Sequence, residues 1–337
     1  MRKPLVAALT TALLSGALVA SVGAAPASAA SHRAVATSAA SAASFTSVAA
    51  PALTAPARAG AGAGTGTPGE ANAKAVDFAG TVALSNCSGS LVRMPSSEPN
   101  DPALVMSNGH CLEGGMPGPG EVITDEPSSR TFKLLNATAG TVATLRATKV
   151  SYATMTDTDV SLYELGTTYS AIETKYRIKA LELSAARPAQ GSAISVVSGY
   201  WKKIYPCNID GFVHQLREAD WTWKDSVRYT AACKTIGGTS GSPVVDNASG
   251  KVVAINNTGN ESGGRCTMNN PCEVDANGRI TVRKGINYAQ QTYGITKCVG
   301  VGNKIDLGLP GCSLPKPTGE SPKAGVSVKE ILASVRP

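Results

Sequence analysis

The chain has 337 residues, a formal net charge of +7, 42% hydrophobic and 16% charged residues, and eight cysteines. Its basic residues are scattered and not interleaved with aromatics, which describes a basic soluble surface and argues against a nucleic-acid partner. Past the N-terminal run, no stretch reaches the roughly 18 apolar residues that a membrane span needs.

Arg2 and Lys3 form a positive start, an apolar run follows from Leu5 to about Ala25, and Ala27-Ser28-Ala29 fits an A-x-A cleavage site. Residues 1–30 read as a secretory signal peptide. A retained anchor is the alternative, but Thr, Ser and Gly interrupt the run and small residues end it. Residues 31–75 are mostly Ala, Ser, Thr, Gly and Pro, which bury too little to offset their chain entropy. They read as a pro-segment or linker, and "AGAGAGTGTPGEANAK" suits proteolytic removal.

The rest, about 240 residues, is ordinary for one all-β unit. Short apolar runs recur between turn residues, among them "TVALS", "SGSLVRM", "ALVMS", "TFKLL", "TVATLRATKVSY", "DVSLYEL", "SAISVVSGY", "GFVHQL", "SPVVD" and "KVVAINN". This spacing predicts a sandwich or barrels. "GTTYSAIETKYRIKALELS" lacks alternation and reads as a crossover between two halves. Beyond "PKPTGESPKAG", Val328, Ile331, Leu332 and Val335 have helical spacing, which fits either a docked or a frayed terminal helix.

All eight cysteines, Cys87, Cys111, Cys207, Cys233, Cys266, Cys272, Cys298 and Cys312, lie after residue 76. An even count after a secretion signal implies disulfides. No C-x-x-C pair occurs, and only His110 and His214 lie outside the leader and linker, so neither a metal nor a cofactor is expected.

"CKTIGGTSGSPVVD" places a small hydroxyl, Ser240, among glycines. A serine needs a base within hydrogen-bond reach, and the base needs an orienting group. His110, in "ALVMSNGHCLEGG", follows an apolar strand and a Gly turn, with Cys111 able to staple the loop to Cys87. His214 reads as a mid-strand structural residue. For the orienting carboxylate, "TDTDVSLYEL" offers Asp157 and Asp159; Asp159 starts the apolar run and suits the mouth of a strand.

In the order His, Asp, Ser, the segments "SNGHC", "TDVSLYEL" and "GGTSGSPVV" resemble the trypsin/chymotrypsin-like serine proteases. "CSGSLV" followed by "GHC" is similar to that family's cystine-plus-histidine pattern, and "GTSGSP" to the nucleophile motif of its bacterial secreted branch, which includes glutamyl and lysyl endopeptidases. The resemblance covers about residues 80–290. It implies an all-β fold of two antiparallel six-stranded barrels, at about 76–166 and 190–297, with the active site in the cleft between them. It implies Ser240 as nucleophile, His110 as base, Asp159 as its orienter, and the N–H groups of Gly238 and Ser240 as the oxyanion hole. Residues 298–337 are left as a disulfide loop and tail.

The sequence departs from the family in several respects. Most trypsin-like zymogens carry an Asp before the nucleophile that pairs with a new N-terminus; here that residue is Thr239, and no I-V-G-G stretch occurs. Lys234, six residues before Ser240, stands where the family often has its pocket floor, which implies acidic substrate residues. Asn256-Asn257 replace the His-Trp pair of the glutamyl endopeptidases on the pocket wall. Proximity favours Cys266–Cys272 and Cys298–Cys312 bridges, and Cys207–Cys233 would turn Lys234 elsewhere. The expected activity is that of a secreted, monomeric serine endopeptidase acting on extracellular proteins or peptides, with no membrane partner after leader removal. The alternative is a catalytically silent protease-fold protein that binds peptides or surface polymer.

Overall fold

The computed structural model describes residues 75–318. The signal peptide, nearly all of the 31–75 segment and the helix expected over 328–335 lie outside the described residues. In chain order the first half contains β1 (Thr81–Ala83), β2 (Ser88–Arg93), β3 (Pro102–Ser107), β4 (Val122–Pro127), β5 (Thr131–Leu135), β6 (Thr141–Thr154) and β7 (Val160–Thr168). A helix, α1 (Tyr169–Tyr176), and β8 (Leu181–Glu182) form the crossover. The second half contains β9 (Ala193–Ser198), β10 (Lys203–Glu218), β11 (Trp221–Tyr229), β12 (Pro243–Asp246), β13 (Val252–Gly259), β14 (Cys272–Val274), β15 (Ile280–Val282) and β16 (Asn287–Gln291).

Each half closes on itself. The first runs β1-β5-β6-β7-β3-β2 and returns to β1, with β4 added to β6. The second runs β11-β16-β13-β12-β9-β10 and returns to β11, with β14 and β15 added to β10. These are the two antiparallel six-stranded barrels that the resemblance implies. Closure leaves few free edges, which would otherwise template association.

The apolar runs explain themselves once both strand faces are followed. In β3, Ala103 and Val105 fill the first barrel, whereas Leu104 and Met106 face the other way. That second face joins Val197, Val245, Val252 and Ile255 of the second barrel in one core between the barrels. "ALVM" and "VVAI" are therefore continuous and apolar because both faces are buried. The crossover contains a helix that the missing alternation only hinted at. Thr168 caps it, its side chain accepting from the Ala171 N–H at 3.2 Å, and Arg177 ends it in the left-handed conformation.

The segment after β16 does not leave the domain. Cys298, Val299 and Leu314 join the inter-barrel core. Asn303, 1% exposed, accepts from Ser97 Oγ at 2.7 Å and donates to the Pro102 carbonyl at 2.8 Å and to Tyr169 Oη at 3.0 Å. Packing thus continues to about Pro315, whose carbonyl accepts from Tyr152 Oη at 3.0 Å, past the expected limit at 297. Asn303→Ala leaves these buried partners unpaired and is expected to lower unfolding free energy by about 2–4 kcal/mol. Urea denaturation checks this.

Candidate active site

Three loops meet where the barrels face each other. His110 sits in a single 3-10 turn, Gly109–Cys111, just after β3. A Cys87–Cys111 disulfide ties this turn to the start of β2. Arg130, 3% exposed, donates from Nη1 to the Cys111 carbonyl at 2.6 Å. Asp159 lies immediately before β7 and is fully buried. Its carboxylate accepts twice from His110, from the backbone N–H at 3.1 Å and from Nδ1–H at 2.7 Å. That second bond holds the tautomer whose Nε2 carries a lone pair. Asp157 is turned away, on a positive-φ turn, and pairs with Lys224 at 2.7 Å.

Burial opposes the charged imidazolium of His110. The Asp159 carboxylate, by charge and by hydrogen bond, and then the charge of Glu218, outweigh it and hold the pKa above the ordinary 6.5. Glu218 is 4% exposed, and burial raises its own pKa even though Thr258 Oγ1 donates to it at 2.6 Å and the Asn269 N–H at 2.7 Å.

Ser240 lies in a tight loop between two left-handed glycines, Gly238 (φ +84°) and Gly241 (φ +78°). A Cβ on Gly241 would run into the Ser88 carbonyl and Ser107 Oγ, so no larger residue fits. The Ser240 carbonyl accepts from the Ser88 N–H at 2.8 Å, which anchors the loop to the first barrel. Ser240 Oγ donates to the Asn257 carbonyl at 3.2 Å. His110 and Ser240 line the same cleft, of about 310 Å³.

The expected wall residues Asn256 and Asn257 both line this cleft. Asn256 is 2% exposed and its amide is committed: Nδ2 donates to Thr239 Oγ1 at 3.0 Å and to the Thr239 carbonyl at 3.2 Å, and Oδ1 accepts from Tyr229 Oη at 3.2 Å. Lys234 is a correction. It is exposed and outside the cleft lining, because it follows Cys233, which is buried and bridged to Cys207. The remaining bridges are Cys266–Cys272 and Cys298–Cys312. His214 is exposed in the middle of β10.

Sequence reasoning passed over Asn108. It is fully buried; its Nδ2 donates to the Asp159 carbonyl at 2.8 Å and its Oδ1 accepts from the Gly241 N–H at 2.5 Å. One amide thus joins the His, Asp and Ser loops. The only signal was its place in "SNGHC", two residues before the histidine.

A profile of the trypsin-like peptidase domain matches residues 87–255, half of the chain. The chain belongs to that family, and by class it is a serine peptidase. No curated protein matches it in sequence. Among solved structures it is similar to the active form of the Rv3671c protease from M. tuberculosis, at 15% identity and TM-score 0.42, covering 72% of this chain and 85% of that one. It is also similar to the MamO protease domain from Magnetospirillum magneticum, at 13% identity and TM-score 0.41, covering 66% and 97%. The four disulfides fit an extracellular or periplasmic protein. Among the described residues, no helix is long and apolar enough to cross a membrane.

Asn108→Ala would leave the buried Asp159 carbonyl without its partner and remove one of the two acceptors of the Gly241 N–H, the other being the Asn256 carbonyl at 2.9 Å. The expected cost is about 1–3 kcal/mol of stability, together with a fall in kcat as the Ser240 loop loses its tie to the His110 turn. Thermal melting and steady-state kinetics on one preparation test both. Asn108→Asp, which sets a buried carboxylate against the Asp159 carbonyl oxygen, should cost at least as much as the alanine variant.

Proposed function

We propose that the protein is a secreted serine endopeptidase in which Ser240, His110 and Asp159 form an acyl-transfer triad. The observation that carries this reading is the 2.7 Å bond from His110 Nδ1 to a fully buried Asp159, on a ring that faces the cleft lined by Ser240. In the reaction Ser240 Oγ leaves the Asn257 carbonyl and attacks the scissile carbonyl while His110 Nε2 takes its proton. His110 then protonates the leaving amine, and a water repeats the sequence on the acyl-enzyme. Asp159 holds the imidazole in place and stabilises the imidazolium that forms. The N–H groups of Gly238 and Ser240 receive the oxyanion, since neither donates to a protein acceptor among the described residues.

Substrate chemistry follows from the cleft. β12 pairs with β13 only as far as Ile255, so Asn257–Gly259 extend past it beside Ser240. That free edge suits an extended peptide added as a further strand. The charged side chains lining the cleft are His110, Glu218 and Glu261, with no lysine or arginine. Neutral or basic residues are therefore preferred over acidic ones, which is opposite to what Lys234 implied. Residues 1–30 would act as the export signal and 31–75 as a removable pro-segment, consistent with four disulfides formed outside the cytoplasm.

The second reading, a silent peptide-binding protein, draws on Ser240 Oγ being bonded to Asn257 and not to His110. A fluorophosphonate probe separates the two. Covalent labelling that is lost in Ser240→Ala supports the peptidase, whereas binding of casein peptides without labelling or turnover supports the alternative.

The base must be neutral to accept a proton, so kcat/KM should fall on the acid side through a group titrating above 6.5. Asp159→Asn removes the contact that raises this pKa. It should shift that limb to lower pH and reduce kcat by about 10⁴-fold. A pH–rate profile of both forms is the check; an unshifted limb would assign the titration to another group.

A further inference from the structure

The loop before Ser240 includes a peptide plane whose orientation decides whether one of the two oxyanion donors exists. In a trans peptide, the Gly237 carbonyl and the Gly238 N–H point to opposite sides of one plane. Turning that plane over would aim a carbonyl, not an N–H, at the oxyanion. Neither Gly237 nor Gly238 has a side chain to hinder the rotation, and Gly238 already sits at φ +84°.

Two contacts hold the chain on either side of Gly238. Trp201 Nε1–H donates to the Gly237 carbonyl at 2.7 Å. Ser88 Oγ donates to the Gly238 carbonyl at 3.3 Å, and Ser88 Oγ is within 3.0 Å of Ser198 Oγ. The indole is itself fixed. Its backbone N–H donates to Ser198 Oγ at 3.2 Å, and its ring meets Tyr200 edge-on with centroids 5.1 Å apart. A Cβ on Gly238 would stand 2.9 Å from Trp201 Nε1 and 3.0 Å from the Tyr200 ring, so the aromatic pair closes directly over the glycine. Yet Trp201 is 48% exposed and Tyr200 41% exposed. So much exposed aromatic surface is a poor way to stabilise a core. Its indole N–H, in contrast, is satisfied by one particular carbonyl.

Resting on the serine peptidase reading above, we infer that Trp201 is a positioning residue for the oxyanion hole: its indole N–H holds the Gly237 carbonyl outward and thereby keeps the Gly238 N–H turned into the cleft. It does not touch the reacting atoms. It acts through the peptide it orients, and its contribution is the fraction of molecules in which that donor is present. It also meets a need specific to this chain. With Thr239 before the nucleophile, no aspartate is present to order the loop through an ion pair. Neutral bonds do so instead: Trp201 to Gly237, Thr239 Oγ1 to the Ile236 carbonyl, and Asn256 to Thr239.

The test is Trp201→Phe in the full chain, which keeps an aromatic ring beside Tyr200 while removing the N–H together with the five-membered part of the indole. Three quantities are measured beside the wild type: kcat and KM on fluorescein-labelled casein, the rate of inactivation by diisopropyl fluorophosphate (whose phosphoryl oxygen also needs the hole), and the melting temperature. The inference expects kcat to fall about tenfold or more, short of the 10²–10³-fold seen when an oxyanion donor is deleted outright. It expects inactivation to slow by a similar factor, with KM, the acid limb of the pH profile and the melting temperature nearly unchanged. Wild-type turnover with an unaltered kcat in the variant overturns the role of Trp201 alone. A fall in kcat matched by a fall in melting temperature marks a packing role and overturns it as well. A wild-type chain that neither turns over casein nor reacts with the phosphofluoridate overturns the peptidase reading, and this inference with it.

Discussion

The side-chain amide of Asn108 is the interaction on which the site depends. The core between the barrels supplies most of the energy that holds them together, since burying an apolar side chain is worth about 1.5–3 kcal/mol. That force is non-directional. It brings β3, β6 and β7 against β12 and β13 without fixing alignment to a fraction of an ångström. The amide does so. It reaches from the histidine loop to the Asp159 carbonyl and to the Gly241 N–H, and any slide of one barrel past the other would break one of these bonds in a buried place. A buried polar group left unpaired costs about 1–3 kcal/mol, so the bonds act as a register stop. Ser88 adds a second stop, its N–H on the Ser240 carbonyl and its hydroxyl on the Gly238 carbonyl.

Legibility in the sequence followed the range of the forces involved. The strands were readable because burial on two faces leaves an unbroken apolar run, as in "ALVMS" and "KVVAINN". The candidate site residues were readable because they stand in motifs with fixed neighbours: a glycine and a cysteine flank His110, and Asp159 opens an apolar strand. β4 was not readable. "VITDEP" is half-exposed at its start and exposed after it, so no apolar period marks it, and only pairing with β6 makes it a strand. Helix α1 is short and weakly amphipathic, and its clearest mark is the Thr168 cap.

What stayed hidden was set by contacts between distant residues. Asn108, Ser88 and Trp201 each carry a bond to a residue more than 30 positions away, and no local pattern encodes such a bond. Lys234 shows the reverse error. Counting back from the nucleophile assumed a loop of family geometry, but the Cys207–Cys233 bridge pins the preceding residue and directs the lysine outward. Asn303 was hidden in the same way, because its partners lie on β3, α1 and the loop before β3.

The neutral bonds around Thr239 also bear on how the site forms. An ion pair between an aspartate and a freed α-amino group makes a competent loop conditional on a cleavage that creates that amine. Among the described residues, each bond that shapes residues 236–242 comes from within Asn108 to Asn257 or from Ser88. None of the groups making these bonds titrates in the physiological range, so the loop's order is independent of pH there. The ion pair that joins chain cleavage to loop assembly in such zymogens has no acidic partner before Ser240 here, since that residue is Thr239.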